Sequence, residues 1–375
     1  MTPHLPFDRK VDTRIFERIL NYDNLTSSYK LFWFNGIFEE IIAGNKIMSF
    51  RRTVCRMIVS AWYPLIQYKL NFGMWDKLYD TVMIIHKKYK INVNEKQEAI
   101  LEFLDKLNDP EIERLIANLY KYVPYRLIAP FYERELMGLK DGVKNKKIYE
   151  LSKSDEDVIY KIRLQEQIIE INDNWFNYIY ANQNIIYGWM NFKLIYFLQK
   201  KNPNVPAIPF KLKPPYKRDM NKAKKFWYEV NKHTSISDIY TGKEFNNENF
   251  IKYGELSIDH FIPWSFVLHD ELWNLTPTFK NVNSSKNDRL PMKEVYLNKF
   301  CELQFNVYRT ARQNKSMTKL LEDYMHISTS MVYDIKNKEY KDVNKELFFN
   351  SLKNTIEPLY QIAYNQGYSV WKNIM

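Results

Sequence analysis

The chain has 375 residues, 45% hydrophobic and 16% aromatic, which is enough for two or three domains with real cores and too apolar for a disordered chain. Lys and Arg number 55 against 44 Asp and Glu, and the formal charge of +11 favours a polyanionic partner, nucleic acid or an anionic membrane surface. The two cysteines, Cys55 and Cys301, lie far apart with no neighbouring Cys, which excludes a disulfide framework and a Cys-based zinc site and fits a reducing compartment.

Met1 to Lys10 holds two prolines and several charges but no apolar run, so no secretory signal is expected and the expected location is cytoplasmic. From Thr13 to about Tyr122 apolar residues recur at spacings of three and four, as in Tyr29, Phe32, Trp33, Ile37 and Ile41, which predicts a helical bundle. Ser27 and Ser28 are placed to cap a helix from Tyr29, and Asn94 and Asp109, the latter before Pro110, to start later ones. The stripe Tyr29, Phe32, Trp33 is read as core, not as a base-stacking platform. The longest apolar stretch, roughly Met57 to Ile66, is too short to span a bilayer and is read as a buried helix, so no membrane segment is expected.

Between Val143 and Asp173 the clusters Ile159, Tyr160, Ile162 and Ile168, Ile169, Ile171 predict a short hairpin. Trp175 to Leu198 is read as one long helix, ended by the proline-rich run from Asn202 to Pro209, which marks a domain boundary. Lys200 to Lys225 then carries nine basic residues and one acid, with Tyr216, Phe226 and Trp227 beside them; such clustering favours phosphate contact over general solubility. Lys217, Arg218, Lys224 and Lys225 are its nucleic-acid-binding candidates. After Pro291 helical patterns return, from Val295 to Tyr324 and from Val343 to about Ala363.

The informative segment contains Asp259, His260 and Pro263, then Trp273, Asn274 and Leu275, and finally Asn283, Lys286, Arg289 and Pro291. It resembles the HNH, or ββα-metal, nuclease motif: Asp-His-x-x-Pro on a strand, an Asn in the connecting loop, and Asn-x-x-Lys on a following helix. Asn274 stands fourteen positions after His260 and Asn283 nine positions after Asn274, spacings similar to those in the HNH domain of RNA-guided CRISPR nucleases. The fold expected is mainly α with a small α+β module: a helical region over 1–200, a basic linker over 201–227, the ββα module over 228–300 and helices over 301–375. Asp238 to Lys243 resembles the Cys-x-x-Cys-Gly turn that opens many such motifs, without its cysteines. Phe279 and Val282 stand where a second cysteine pair would be, so no structural zinc is expected and apolar packing takes its place.

Phosphodiester cleavage needs a base for the attacking water and stabilisation of the leaving 3′-oxygen. The resemblance implies that His260 is the base, that Asp259 and Asn283 hold one magnesium or manganese ion, and that Asn274 joins His260 among the catalytic residues by holding the loop and positioning the His260 carbonyl or ring. A sparse oxygen site of this kind suits magnesium, which keeps several waters. Asp259 and His260 are neighbours on a predicted strand and would face opposite ways unless it ends there, as Pro263 favours. Lys286 and Arg289, one and nearly two helical turns beyond Asn283, are secondary candidates for phosphate contact. His269 is read as a solvated loop residue, and His4, His86, His233 and His326 as structural or solvated.

Three readings follow from the resemblance. The first is an active endonuclease that nicks one DNA strand per site, with double-strand breaks requiring a homodimer or two sequential events and the N-terminal region read as a partner or sensor region for a regulatory protein. The second is a catalytically silent, nucleic-acid-binding subunit of a larger complex. The third is an effector in bacterial defence against phage, held inactive until released.

Overall fold

The computed structural model describes residues 4–22, 25–214, 218, 220–336 and 344–372. Among these the fold is mainly α with a small α+β portion, and contacts divide it into two units: residues 1–203 with 208–214, and residues 204–207 with 215–375.

In the first unit three strands accompany a helical bundle. Tyr160–Arg163 (β2) and Ile168–Ile171 (β3) form the antiparallel hairpin the β-branched clusters predict, with Ile162 opposite Ile169. Ile47–Ser49 (β1) adds to the free side of β3. Three residues wedged between two helices carry no alternation long enough to read, which is why β1 escapes a sequence reading. The predicted long helix from Trp175 is two, Asp173–Ala181 and Gln183–Lys201, broken at Asn182, whose side-chain amide donates to the Tyr178 carbonyl. Asp109 caps the helix Pro110–Tyr120 as expected, whereas the next upstream helix begins at Gln97, three residues beyond Asn94. Phe32 and Trp33 are buried, as a core stripe requires. Ser28 precedes the helix Tyr29–Ile42 without capping it; its hydroxyl donates instead to Asp76 at 2.6 Å.

The second unit opens with a helix where a linker was expected. Asn221–His233 exposes Lys224 and Lys225 and buries Phe226, Trp227 and Val230, a spacing of three and four that the surrounding lysines mask in composition. Leu256–His260 (β4) and Leu275–Phe279 (β5) then pair antiparallel, with His260 opposite Leu275 and Leu256 opposite Phe279. The helix Lys280–Lys286 follows β5 directly and packs on both strands. C-terminal helices Lys293–Gln313 and Lys345–Asn365 complete the unit, and a parallel pair, Leu290–Pro291 (β6) with Val370–Trp371 (β7), ties the chain's end to the exit of the motif segment. No helix among the described residues is long and apolar enough to cross a membrane.

Candidate active site

The site is built on the last two residues of β4. The strand ends at His260, three residues before Pro263, so Asp259 and His260 escape strict alternation and are both buried, at 4% and 5% exposure. A bare carboxylate at such depth would be costly, and Asp259 is compensated on two sides. The Tyr240 hydroxyl donates to its Oδ2 at 2.6 Å, and the Lys286 ammonium stands 3.1 Å from Oδ1 and 3.0 Å from Oδ2. Lys286 also donates to the His260 carbonyl at 2.7 Å.

His260 is held by a residue the sequence reading passed over. Its Nε2 lies 2.8 Å from Asp270 Oδ1, and because a carboxylate only accepts, Nε2 carries the hydrogen and Nδ1 keeps a lone pair. Burial pushes the imidazole below its ordinary value, while the Asp270 hydrogen bond, the Asp270 charge and Asp259 act in the opposite direction. Arg218 is brought to the same place: its guanidinium lies 3.8 Å from Asp270 and 4.7 Å over the Trp264 ring. The signal available for Asp270 was its sequence proximity to His269 inside the motif loop, which says nothing about which way its carboxylate turns.

Asn274 is fully buried and makes a paired contact with one backbone unit: its Oδ1 accepts from Ile262 N and its Nδ2 donates to Ile262 O, both at 2.9 Å. Its carbonyl accepts from Phe261 N at 2.8 Å, so the residue fixes the turn that leaves β4 and not the His260 ring or carbonyl. Asn274→Ala would orphan a buried donor and a buried acceptor, each costing about 1–3 kcal/mol. A denaturant titration should show a lower midpoint at unchanged slope.

Asn283, on the helix Lys280–Lys286, donates through Nδ2 to Ser257 Oγ at 2.8 Å and to Ile258 O at 3.2 Å, which clamps the helix to β4. Its Oδ1 accepts no hydrogen bond from the described residues and remains a hard oxygen donor beside the Asp259 strand. With the carboxylate of Asp259, this donor chemistry fits magnesium or manganese. The buried ammonium of Lys286 against Asp259 shows that the site already favours a cation there. No group of three or more His, Cys, Asp or Glu among the described residues is arranged to hold a metal ion.

Several expected roles change with the geometry. Lys286, expected to face phosphate, is 0% exposed and neutralises Asp259 instead. Arg289 lies beyond the helix, which ends at Lys286, and not two turns along it; it is half-buried, with its guanidinium turned back to the carbonyls of Ser285 and Lys286. His269 is half-buried and its ring packs 5.2 Å from that of Trp273, with burial lowering its pKa, so it is not a solvated loop residue. Lys224 and Lys225 are exposed, and Lys217 lies outside the described residues.

Where a metal-stapled turn would carry a cysteine, Asp238 is buried and accepts from Tyr240 N, Thr241 N and the Thr241 hydroxyl at 2.7–3.2 Å. Gly242 turns the chain at φ 71°, a conformation costly for a side chain with a Cβ. Phe279 is fully buried, its ring 5.0–6.0 Å from those of Phe245, Phe250 and Tyr253. The C-terminal region reinforces the site from behind. Tyr296 and Trp371 pack edge-on against the Tyr240 ring, Gln304 donates to the carbonyls of Leu272 and Leu275, and Asp323 accepts from Leu272 N at 3.0 Å.

Residues 238–292 match the HNH endonuclease family, a span that holds Tyr240, Asp259, His260, Asp270, Asn274, Asn283 and Lys286. No curated protein and no solved structure shows a significant match to the chain.

Proposed function

Through residues 238–292 the chain is a member of the HNH endonuclease family, and from that premise we propose that it hydrolyses DNA phosphodiester bonds with His260 as general base and a divalent ion held by Asp259 and Asn283. Family membership implies a nuclease acting on nucleic acid, and HNH nucleases generally use a divalent metal ion. The observation that carries the finer reading is the end of β4. Two adjacent buried polar residues are there held for different tasks, His260 by Asp270 with Nδ1 left to accept a proton and Asp259 beside a buried cation.

The chain's own residues divide the work. Asp270 fixes the His260 tautomer and ring direction, so that Nδ1 can take the proton of a water attacking phosphorus. Burial keeps the imidazole neutral at pH 7, the form a base requires. Asn274 holds the turn after β4, and Asn283 holds the helix that carries Lys286. When bound, magnesium or manganese would act as a Lewis acid at the leaving 3′-oxygen. Arg218, Lys224 and Lys225 are the proposed contacts to the nucleic-acid backbone; they carry no sequence information of their own. The same proposal extends to a role as an effector of defence against phage, with a regulatory partner or a second copy restraining the nuclease in its own cell.

The substrate class is tested with end-labelled single- and double-stranded DNA and RNA of one sequence, incubated with the full chain and magnesium. Cleavage of DNA with RNA left intact is the expected result. Cleavage of RNA alone contradicts the DNA assignment, and tight binding without any cut favours the silent-subunit reading.

A further inference from the structure

The first unit carries an exposed aromatic turn that the nuclease reading does not use. Met74 and Trp75 are 85% and 81% exposed, although tryptophan is a side chain that folding normally covers for most of its surface. The turn that presents them is braced at both ends. Phe72 is buried and stacks on Phe32 at 5.1 Å, and Asp76 is buried as well. Asp76 caps the helix Lys77–Tyr89 by accepting from Leu78 N at 3.0 Å, and it also accepts from the Ser28 hydroxyl. Asn71 and Asn202 exchange two bonds, Asn71 N to Asn202 Oδ1 and Asn202 Nδ2 to Asn71 O, both at 2.8 Å. Between these anchors Gly73 turns the chain at φ 117°, a conformation that favours glycine. A fixed turn holding a bare indole is preorganised for a flat partner, because little conformational freedom remains to be lost on binding.

The charge on either side of the turn is positive. The Asn71–Asn202 bonds tie it to the end of the helix Gln183–Lys201, where Lys201 Cε lies 3.5 Å from the position a Gly73 Cβ would take. Lys200 and Lys201 are exposed and have no acid partner among the described residues; their ammonium groups lie 5.8 Å from the Tyr196 ring and 5.7 Å from the Phe197 ring. On the other side a groove of about 560 Å3 follows the helix Lys77–Tyr89, with Lys77, Tyr79, Met83 and Lys87 in its lining. The one acid in that lining, Asp80, is paired with Lys77 at 3.0 Å, and Lys87 is exposed with no acid partner among the described residues.

We propose that this turn binds single-stranded nucleic acid, with a base stacked on Trp75 and the flanking phosphates at Lys200 and Lys201 on one side and at Lys87 on the other. Exposed aromatic rings set among cations are what a single strand needs, since every unpaired base has a face to stack and every linkage a charge to meet. A duplex keeps its bases stacked on one another and offers an indole no such face. The choice of nucleic acid over an anionic membrane surface rests on family membership, since an HNH endonuclease acts on nucleic acid. The contact itself involves none of the residues assigned to cleavage.

The test measures binding of a labelled oligothymidine, and of a duplex of equal length, to the full chain by fluorescence anisotropy. Chelator is present throughout, so nothing is cut, and a chain that binds in this way but never cleaves DNA keeps this site and loses the nuclease reading. The wild type is expected to bind the single strand saturably. Trp75→Ala should bind it about tenfold more weakly, as for loss of one stacked base, while its duplex affinity and its Tm stay those of the wild type. Trp75→Phe should recover most of the loss. Replacing Lys200 and Lys201 together by Gln should flatten the dependence of log affinity on log salt by about 1.4, at roughly 0.7 per phosphate contact. No binding by the wild type, or equal single-strand binding by Trp75→Ala, overturns the site. An equal loss on the duplex overturns the single-strand assignment. Sedimentation with phosphatidylserine–phosphatidylcholine vesicles that depends on Trp75, with no effect of Trp75 on the oligonucleotide, gives the turn to a membrane surface and overturns the proposal.

Discussion

Asp270→Asn is expected to lower DNA cleavage by on the order of 10²-fold or more, approaching the loss in His260→Ala, although Asp270 is neither a metal-ligand candidate nor the base. A carboxylate can only accept from Nε2, whereas a carboxamide can turn its NH2 toward that nitrogen. The imidazole hydrogen then moves to Nδ1, the atom that has to receive the water's proton. A pH–rate profile separates this from simple misfolding. His260 is pushed below its ordinary value by burial, so the wild-type rate should be flat through neutral pH and fall on acidification only below the usual imidazole range, as the base becomes protonated. Asp270 raises that pKa, so its loss should carry any residual activity's acid limb to still lower pH. An unchanged plateau rate in Asp270→Asn, with a folded protein, would contradict the role given to the dyad.

Lys286→Met should have the largest effect on stability. Removing one member of a buried ion pair leaves the other charge uncompensated, at about 3–5 kcal/mol. Asp259 would keep only the Tyr240 hydroxyl, and the His260 carbonyl would lose its partner. The same geometry predicts an unusual rescue. If the ammonium stands in for the divalent ion's charge, magnesium or manganese should raise the Tm of Lys286→Met by more than that of the wild type, because in the variant the ion fills an empty demand and in the wild type it competes with Lys286. Equal Tm increments in the two proteins would make Lys286 a structural clamp and no more.

The two parts of the chain were not equally legible in sequence. Asp259, His260, Asn274 and Asn283 could be picked out because they stand at fixed spacings, and Pro263, which has no N–H to donate to a ladder, favours an end to β4 close by. The helical N-terminal region and the hairpin at 160–171 were readable because apolar periodicity reports burial directly. What could not be read was direction. Lys286 and Asp270 are charged residues near a motif, and sequence assigns such residues to solvent or phosphate by default; only the fold shows that one turns inward to Asp259 and the other back to His260. The basic stretch misled for a related reason, since its lysines conceal the apolar face that makes Asn221–His233 a helix. Tyr240 was quoted only as part of a turn, yet its hydroxyl reaches the key carboxylate, and its ring is held by Tyr296 and Trp371 from more than fifty residues downstream. The C-terminal helices therefore belong to the construction of the site, which motif spacing cannot express.

The most direct measurement is conversion of supercoiled plasmid by the purified full chain and by His260→Ala, each with magnesium, with manganese and with chelator. The wild type with metal should yield nicked or linear DNA, while the variant and the chelated samples leave the plasmid supercoiled. Cleavage by His260→Ala at the wild-type rate, or by the wild type in chelator, would contradict a metal-dependent nuclease that uses His260 as its base.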